Sequence, residues 1–330
     1  MIPSDLRDRF TIITPEKTHF EDFASDVETG LTSNPKKIPC IYFYDERGSL
    51  LFEKICDLPE YYLTRAESEI LEKHSGDLVS SLHPETVLAE LGSGSSLKTR
   101  IIIEKFIESH DSVNYHPIDI SRSMLRDSSI ELLNRYPELT ITSVAAEYDH
   151  GLKELNRVED KPKLLLWLGS SIGNFAPAEV IDFLIKIKNG LNPDDHLLIG
   201  TDLQKEKSIL EAAYDDASGI TAEFNLNLLN RLNRELAADF KIDKFRHLAV
   251  YNENQSRIEM YLVSVEEQDV YVADLNRSIH FEKNERIHTE NSYKFSRDQI
   301  EFMAQKSGFE IEKQWYDSKH YFCINLLRPL

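Results

Sequence analysis

The 330 residues carry 57 acidic against 38 basic side chains, a net charge of -19. This argues against a nucleic-acid substrate, because phosphate-binding surfaces need clustered Lys and Arg. No apolar run is long enough to span a membrane, and Cys40, Cys56 and Cys323 have neither metal-ligand spacing nor even pairing. A reducing, cytoplasmic setting and a small-molecule substrate are therefore expected.

The length suits one large domain or two modest ones. The opening MIPSDLRDRF has charges and no apolar core, so no secretory leader is expected. The first sixty residues lack a clear period and are dense in turn formers, including Asn34-Pro35-Lys36-Lys37 and Asp45-Glu46-Arg47-Gly48. They also hold an aromatic patch: Tyr42-Phe43-Tyr44, Phe52 and Tyr61-Tyr62. Thr64 with Glu67 three residues on reads as a capping box opening a helix that runs to Leu82.

Val87 to Leu91 is an apolar run interrupted only by Glu90; it meets Gly92-Ser93-Gly94 and reopens as a helix over Leu97 to Ser109. A buried parallel strand hands over to its crossover helix in this way, and the ligand site of an open α/β sheet lies at that edge. A dinucleotide fingerprint needs a third glycine where Leu97 stands, and a phosphate-cradling loop needs Gly-Lys-Ser/Thr, which is absent. What remains is an acid before a glycine turn, as in nucleoside-binding methyltransferases that use S-adenosylmethionine. On this stretch alone, an ordinary tight turn remains open.

The next strand, Val113 to Ile118, ends in Asp119, placed to accept both ribose hydroxyls of a nucleoside, while Ser121 can cap the helix that follows. A third strand, Thr140 to Val144, leads to Glu147-Tyr148, an acid and an aromatic suited to an adenine. Leu164 to Leu168 ends in the small-residue loop Gly169 to Phe175, a helix runs from Pro177 to Gly190, and a fifth strand covers His196 to Thr201.

From Gln204 the pattern changes to helices over Lys205 to Tyr214 and Ala222 to Ala238. Strands follow at Ala249 to Tyr251, Arg257 to Val265, Val270 to Ala273 and Ser278 to Phe281. The tail returns to a helix, Arg297 to Lys306, and strands Phe309 to Tyr316 and Tyr321 to Leu327. The expected architecture is an α/β, Rossmann-like seven-stranded methyltransferase sheet from residues 63–201 and 294–330, with an α+β substrate-binding lid domain from residues 1–62 and 202–293.

In YFYDERGSLLFEKICDLPEYYLTRAESEIL, ELGSGSSLKTR, LGSSIGNF, AYDDASGITAEFN and IHTENSYKF, nearly the whole chain resembles the histidine Nα-methyltransferase family of ergothioneine biosynthesis. The resemblance implies successive transfer of three methyl groups from S-adenosylmethionine to the α-nitrogen of free L-histidine. It implies that Gly92, Lys98 and Asp119 hold the cofactor, with Glu147-Tyr148 on the adenine side, where the family usually has Asp before an aromatic. Asn174 and Tyr214 fall on positions that hold the substrate carboxylate. Tyr61, Glu290 and Ser292 fall on those that read the imidazole, Gly169 on the pocket wall and Tyr44 near the amine.

These residue types suit those tasks. An amide and a phenol donate to a carboxylate without placing a fixed positive charge beside a sulfonium. A carboxylate accepting from an imidazole N–H separates histidine from apolar amino acids, and Phe52, Tyr44 and Tyr61 can offer π faces to a quaternary ammonium. No strong base is evident, so Tyr44 with a water is the candidate proton relay. A monomer without nucleic-acid or membrane partners is expected. The alternatives are N-methylation of another amino acid, such as a prenylated tryptophan, and a non-catalytic cofactor-binding subunit.

Overall fold

The computed structural model describes residues 6–14 and 23–330; the first five residues, and part of the segment assigned to the lid, lie outside them. The described chain divides into two compact units, one of residues 6–14, 63–204 and 294–330, the other of residues 23–62 and 205–293. Strands and helices are numbered along the chain.

The first unit is built on strands β3 (Val87–Leu91) and β6 (Lys163–Trp167), in which every residue is buried. Strands of this kind must be covered on both faces, which a parallel sheet with crossover helices achieves. Around them run β4 (Val113–Asp119), β5 (Leu139–Ala145), β7 (His196–Asp202), β13 (Phe309–Tyr316) and β14 (Phe322–Pro329). With β1 (Phe10–Ile13) at the edge, the order is β1-β5-β4-β3-β6-β7-β14-β13. The strands from β1 to β7 pair in parallel, and β14 runs antiparallel to both β7 and β13.

Among the described residues the sheet thus has eight strands where seven were expected. The extra one, β1, belongs to the opening segment assigned from sequence to the lid, and pairs with β5 from Phe10↔Ile141 to Ile13↔Val144. Arg9 fixes it there by donating to the carbonyls of Leu133, Tyr136, Pro137 and Leu139.

The helices of this unit are α3 (Tyr62–Ser80), α4 (Thr99–His110), α5 (Arg122–Arg135), α6 (Tyr148–Val158), α7 (Pro177–Gly190) and α10 (Arg297–Ser307). Ser121 caps α5 by accepting from Met124 N. Ser296 and Gln299 form a capping box on α10, which ends at left-handed Gly308. Helix α3 corrects the sequence reading: it starts at Tyr62, so Thr64 lies inside the first turn and Glu67 is no capping partner.

The second unit has helices α1 (Phe23–Thr32), α2 (Glu46–Cys56), α8 (Lys207–Tyr214) and α9 (Ile220–Glu235). Strands β2 (Lys36–Lys37), β12 (Arg286–Tyr293), β9 (Arg257–Ser264) and β8 (Phe245–Asn252) form a sheet in that order, and β10 (Gln268–Val272) pairs with β11 (Arg277–Phe281). Asp45, read from sequence as part of a turn, is the N-cap of α2, accepting from Gly48 N at 2.7 Å. Among the described residues no helix is long and apolar enough to cross a membrane.

Candidate active site

In the first unit, the glycine turn after β3 and the tips of β4, β5 and β6 bring one group of expected site residues together. Gly92 has φ +71°, and a Cβ there would lie 2.7 Å from the Tyr148 hydroxyl, so the turn both adopts a left-handed backbone and admits a phenol. The Tyr148 ring rests on Trp167, Phe175 and Phe183, with centroids 6.0, 6.5 and 5.8 Å away. Glu147 stands at the N-cap of α6 without its side chain bonding the helix, leaving a carboxylate beside an aromatic ring.

Asp119 ties the turn to the second strand. Its Oδ2 accepts from Gly94 N at 3.0 Å and its Oδ1 from Ser121 N at 2.8 Å. Burial raises its pKa, while these amides and that of Ile120 oppose the rise. Each oxygen retains a lone pair, so the group can still take two hydroxyl donors.

Below the turn, the buried carboxylate of Glu90 accepts from Thr99 Oγ1 at 2.8 Å and from the Tyr115 hydroxyl. Burial pushes its pKa up to about 7, against the bonds from Tyr115 and Thr99. In the folded chain Glu90 therefore binds a proton across the window from about 4.5 to about 7 in which the unfolded chain has lost it. Its contribution to stability is present below the unfolded pKa and is lost as pH rises through that window. Glu90→Gln mimics the protonated form, and the difference in unfolding free energy between variant and wild type should grow in the variant's favour by roughly 1–3 kcal/mol across the window. Denaturant titrations at pH 5 and pH 8 measure it; a constant difference would contradict the assignment.

After β6, Gly169 N donates to Glu67, and a Cβ on Gly169 would approach Lys98 Nζ at 3.3 Å. Ser170, at φ 58°, accepts from Asp202 N at 2.9 Å. Asn174 ends the short 3-10 turn Ser171–Asn174 and is half-buried. Asp202 pairs with Lys294 at 2.8 Å, both fully buried.

The second unit gathers the remaining residues. Tyr44 follows the turn Cys40–Phe43, and the carboxylate of the next residue, Asp45, accepts from Asn227 and Arg234 of α9. The rings run in series: Tyr44 to Phe52 at 5.7 Å, Phe52 to Tyr61 at 6.3 Å and Tyr61 to Tyr214 at 6.1 Å. Burial raises the pKa of Tyr61 well above 10, and electrostatic interaction with Tyr214, Cys56, Tyr44 and Glu290 adds to the rise, which places these groups within electrostatic reach of one phenol. Burial and then Glu290 also push the Cys40 thiol up to about 12.

Strand β12 explains how Glu290 and Ser292 come to this cluster. Ile287 opposes Leu262, but Glu290 opposes Met260, so Thr289 is an extra residue in a β-bulge. The bulge moves Glu290 and Ser292 onto the face of Ile287, Met260 and Ile258. Ser292 Oγ lies 2.8 Å from the Tyr214 hydroxyl. The residues assigned to the carboxylate and imidazole ends of a histidine thus share a hydrogen bond. Tyr214 is fixed further by its carbonyl, which accepts from His247 Nε2 at 2.8 Å, while His247 Nδ1 accepts from Asn225 at 2.8 Å. Burial lowers the pKa of His247, keeping it neutral and able to play both parts.

A family model for the histidine-specific, SAM-dependent methyltransferases matches residues 23–329. The chain belongs to this family. Proteins named histidine N-alpha-methyltransferase resemble this histidine-specific methyltransferase family member at 38% identity. The one from Mycolicibacterium smegmatis aligns over 93% of this chain and 94% of its own, and the one from Mycobacterium tuberculosis over 91% and 93%. A protein named ergothioneine biosynthesis protein 1, from Neurospora crassa, is 32% identical over 87% of this chain, which spans 32% of that longer protein.

The residue pattern of this methyltransferase does not reveal the contact of Glu67 with Gly169, His247 and Asn225 behind Tyr214, or the bulge at Thr289. A polar stretch such as Arg286-Ile287-His288-Thr289-Glu290 gives no alternating pattern, and that interruption was the one trace of the bulge.

Proposed function

We propose that the protein transfers three methyl groups in succession from S-adenosylmethionine to the α-nitrogen of free L-histidine, giving trimethylhistidine (hercynine) for ergothioneine biosynthesis. It works as a cytoplasmic monomer. The observation that carries this reading is the clustering of Tyr61, Tyr214, Glu290 and Ser292, a carboxylate and hydroxyls among aromatic rings, in a chain of the histidine-specific methyltransferase family.

Gly92, Asp119, Glu147 and Tyr148 hold the nucleoside, the acids accepting from ribose and adenine and the tyrosine covering the ring. Lys98 takes the negative end of the cofactor's amino-acid portion. When bound, the cofactor supplies a methyl group on a sulfonium, so the protein's work is orientation and exclusion of water. Asn174 and Tyr214 donate to the histidine carboxylate, and Gly169 gives the wall room. Glu290 accepts from one imidazole N–H and Ser292 bonds the other nitrogen, while Tyr61 packs on the ring. Tyr44 and Phe52 face the nitrogen as it becomes a quaternary ammonium, a contact of roughly 0.5 to 2 kcal/mol.

The amine must be uncharged for each transfer, and Tyr44 relays its proton through a water. Tyr44→Phe should therefore slow turnover by about tenfold without abolishing it, since a relay through solvent survives. Single-turnover rates at saturating substrates measure this; complete loss with normal cofactor affinity would make the hydroxyl essential. The substrate reading is tested by following S-adenosylhomocysteine release with each free amino acid in turn: histidine alone should drive it, and equal release with tryptophan derivatives would overturn it.

A further inference from the structure

Glu67 has no place in the reading above, yet its chemistry is unusual. Its side chain is fully buried on α3 and, over a sequence separation of 102 residues, both carboxylate oxygens accept from Gly169 N, at 2.9 and 3.0 Å. Lys98 Nζ forms an ion pair with it. Gly200 of β7 leaves the space for Oε1, because a Cβ at that position would fall on this oxygen. Burying a carboxylate is costly unless its partners are in place. Here three sheet-edge segments supply them or make room: the loop after β3 through Lys98, the loop after β6 through Gly169, and β7 through Gly200.

We propose that Glu67 is a positioning residue for the cofactor pocket, acting by aiming the Lys98 ammonium and fixing the Gly169 amide. This rests on the reading that Lys98 and Gly169 line that pocket. The Lys98 side chain is 23% exposed, and its ammonium is anchored by the buried Glu67. A flexible four-carbon stem held by a buried carboxylate loses rotamer freedom in folding instead of on binding, which raises affinity for an anionic group. A merely structural staple would hold α3 to the loops and leave cofactor affinity unaltered.

The test is a double-mutant cycle on S-adenosylhomocysteine affinity, with thermal stability recorded beside it. Glu67→Gln should weaken binding by about tenfold or more and raise KM for S-adenosylmethionine, with kcat at saturation held within about twofold. In a Lys98→Met background the same substitution should cost less than about threefold, because its target is gone. Glu67→Asp, which keeps the charge, should recover part of the affinity. If Glu67→Gln does not fold, Gly200→Ala displaces the same oxygen without changing charge and should weaken binding in the same direction. Additive losses in the cycle, or normal affinity in a folded Glu67→Gln, overturn the proposal. Normal affinity in Lys98→Met alone would instead refute the underlying reading of Lys98.

Discussion

Glu290→Gln is expected to lower kcat/KM for histidine by roughly 10²-fold while leaving affinity for the cofactor unchanged. The side chain reaches its cluster only because the extra residue Thr289 shifts the register of β12, and its negative charge is felt at both Tyr61 and Cys40. A carboxylate that accepts from an imidazole N–H makes a charge-assisted bond, roughly twice as strong as a neutral one. The amide keeps the shape and one acceptor but loses the charge and turns an N–H2 toward the ring nitrogen or its neighbours. The loss should fall mainly on KM, since the bond exists in ground and transition states alike. Steady-state kinetics with histidine, and calorimetry with S-adenosylhomocysteine, separate the two. Unchanged kcat/KM would mean that the imidazole is read by another group.

Asp119→Asn is expected to act on the other substrate, weakening S-adenosylhomocysteine binding by roughly 10²-fold with histidine turnover at saturating cofactor less affected. Both carboxylate oxygens face backbone N–H groups, of Gly94 and Ser121. An asparagine sets an N–H2 against one of those donors, so it disturbs the glycine turn and also removes an acceptor for ribose. Burial raises the Asp119 pKa, so binding should also weaken as pH falls toward the carboxylate range, an effect absent from the variant. Wild-type affinity in Asp119→Asn would refute the ribose assignment.

The central strands were legible because continuous apolar runs that stop at acids and glycines have one economical home, the middle of a parallel sheet. Helix Pro177–Gly190 and strand Phe309–Tyr316 have the bounds expected of them, the first opened by a proline at its start. What escaped the sequence depends on partners far along the chain. Strand β1 is four residues that become a strand through pairing with β5. Strand β12 hides its period because the bulge changes the facing phase between His288 and Glu290. Thr64 and Glu67 match a capping pattern, but the glutamate is drawn to Gly169 and Lys98, and no local rule weighs such distant donors. Tyr214 and Ser292, singled out for opposite ends of one substrate, bond each other across 78 residues.

The most direct measurement is fragmentation mass spectrometry of the product formed from histidine and S-adenosylmethionine by the purified protein. Three methyl units, all on the α-nitrogen and none on the imidazole, are the expected result. Methyl groups on a ring nitrogen, or a product that stops at one methyl with cofactor in excess, would contradict the roles given to Glu290, Ser292 and the aromatic rings around Tyr44.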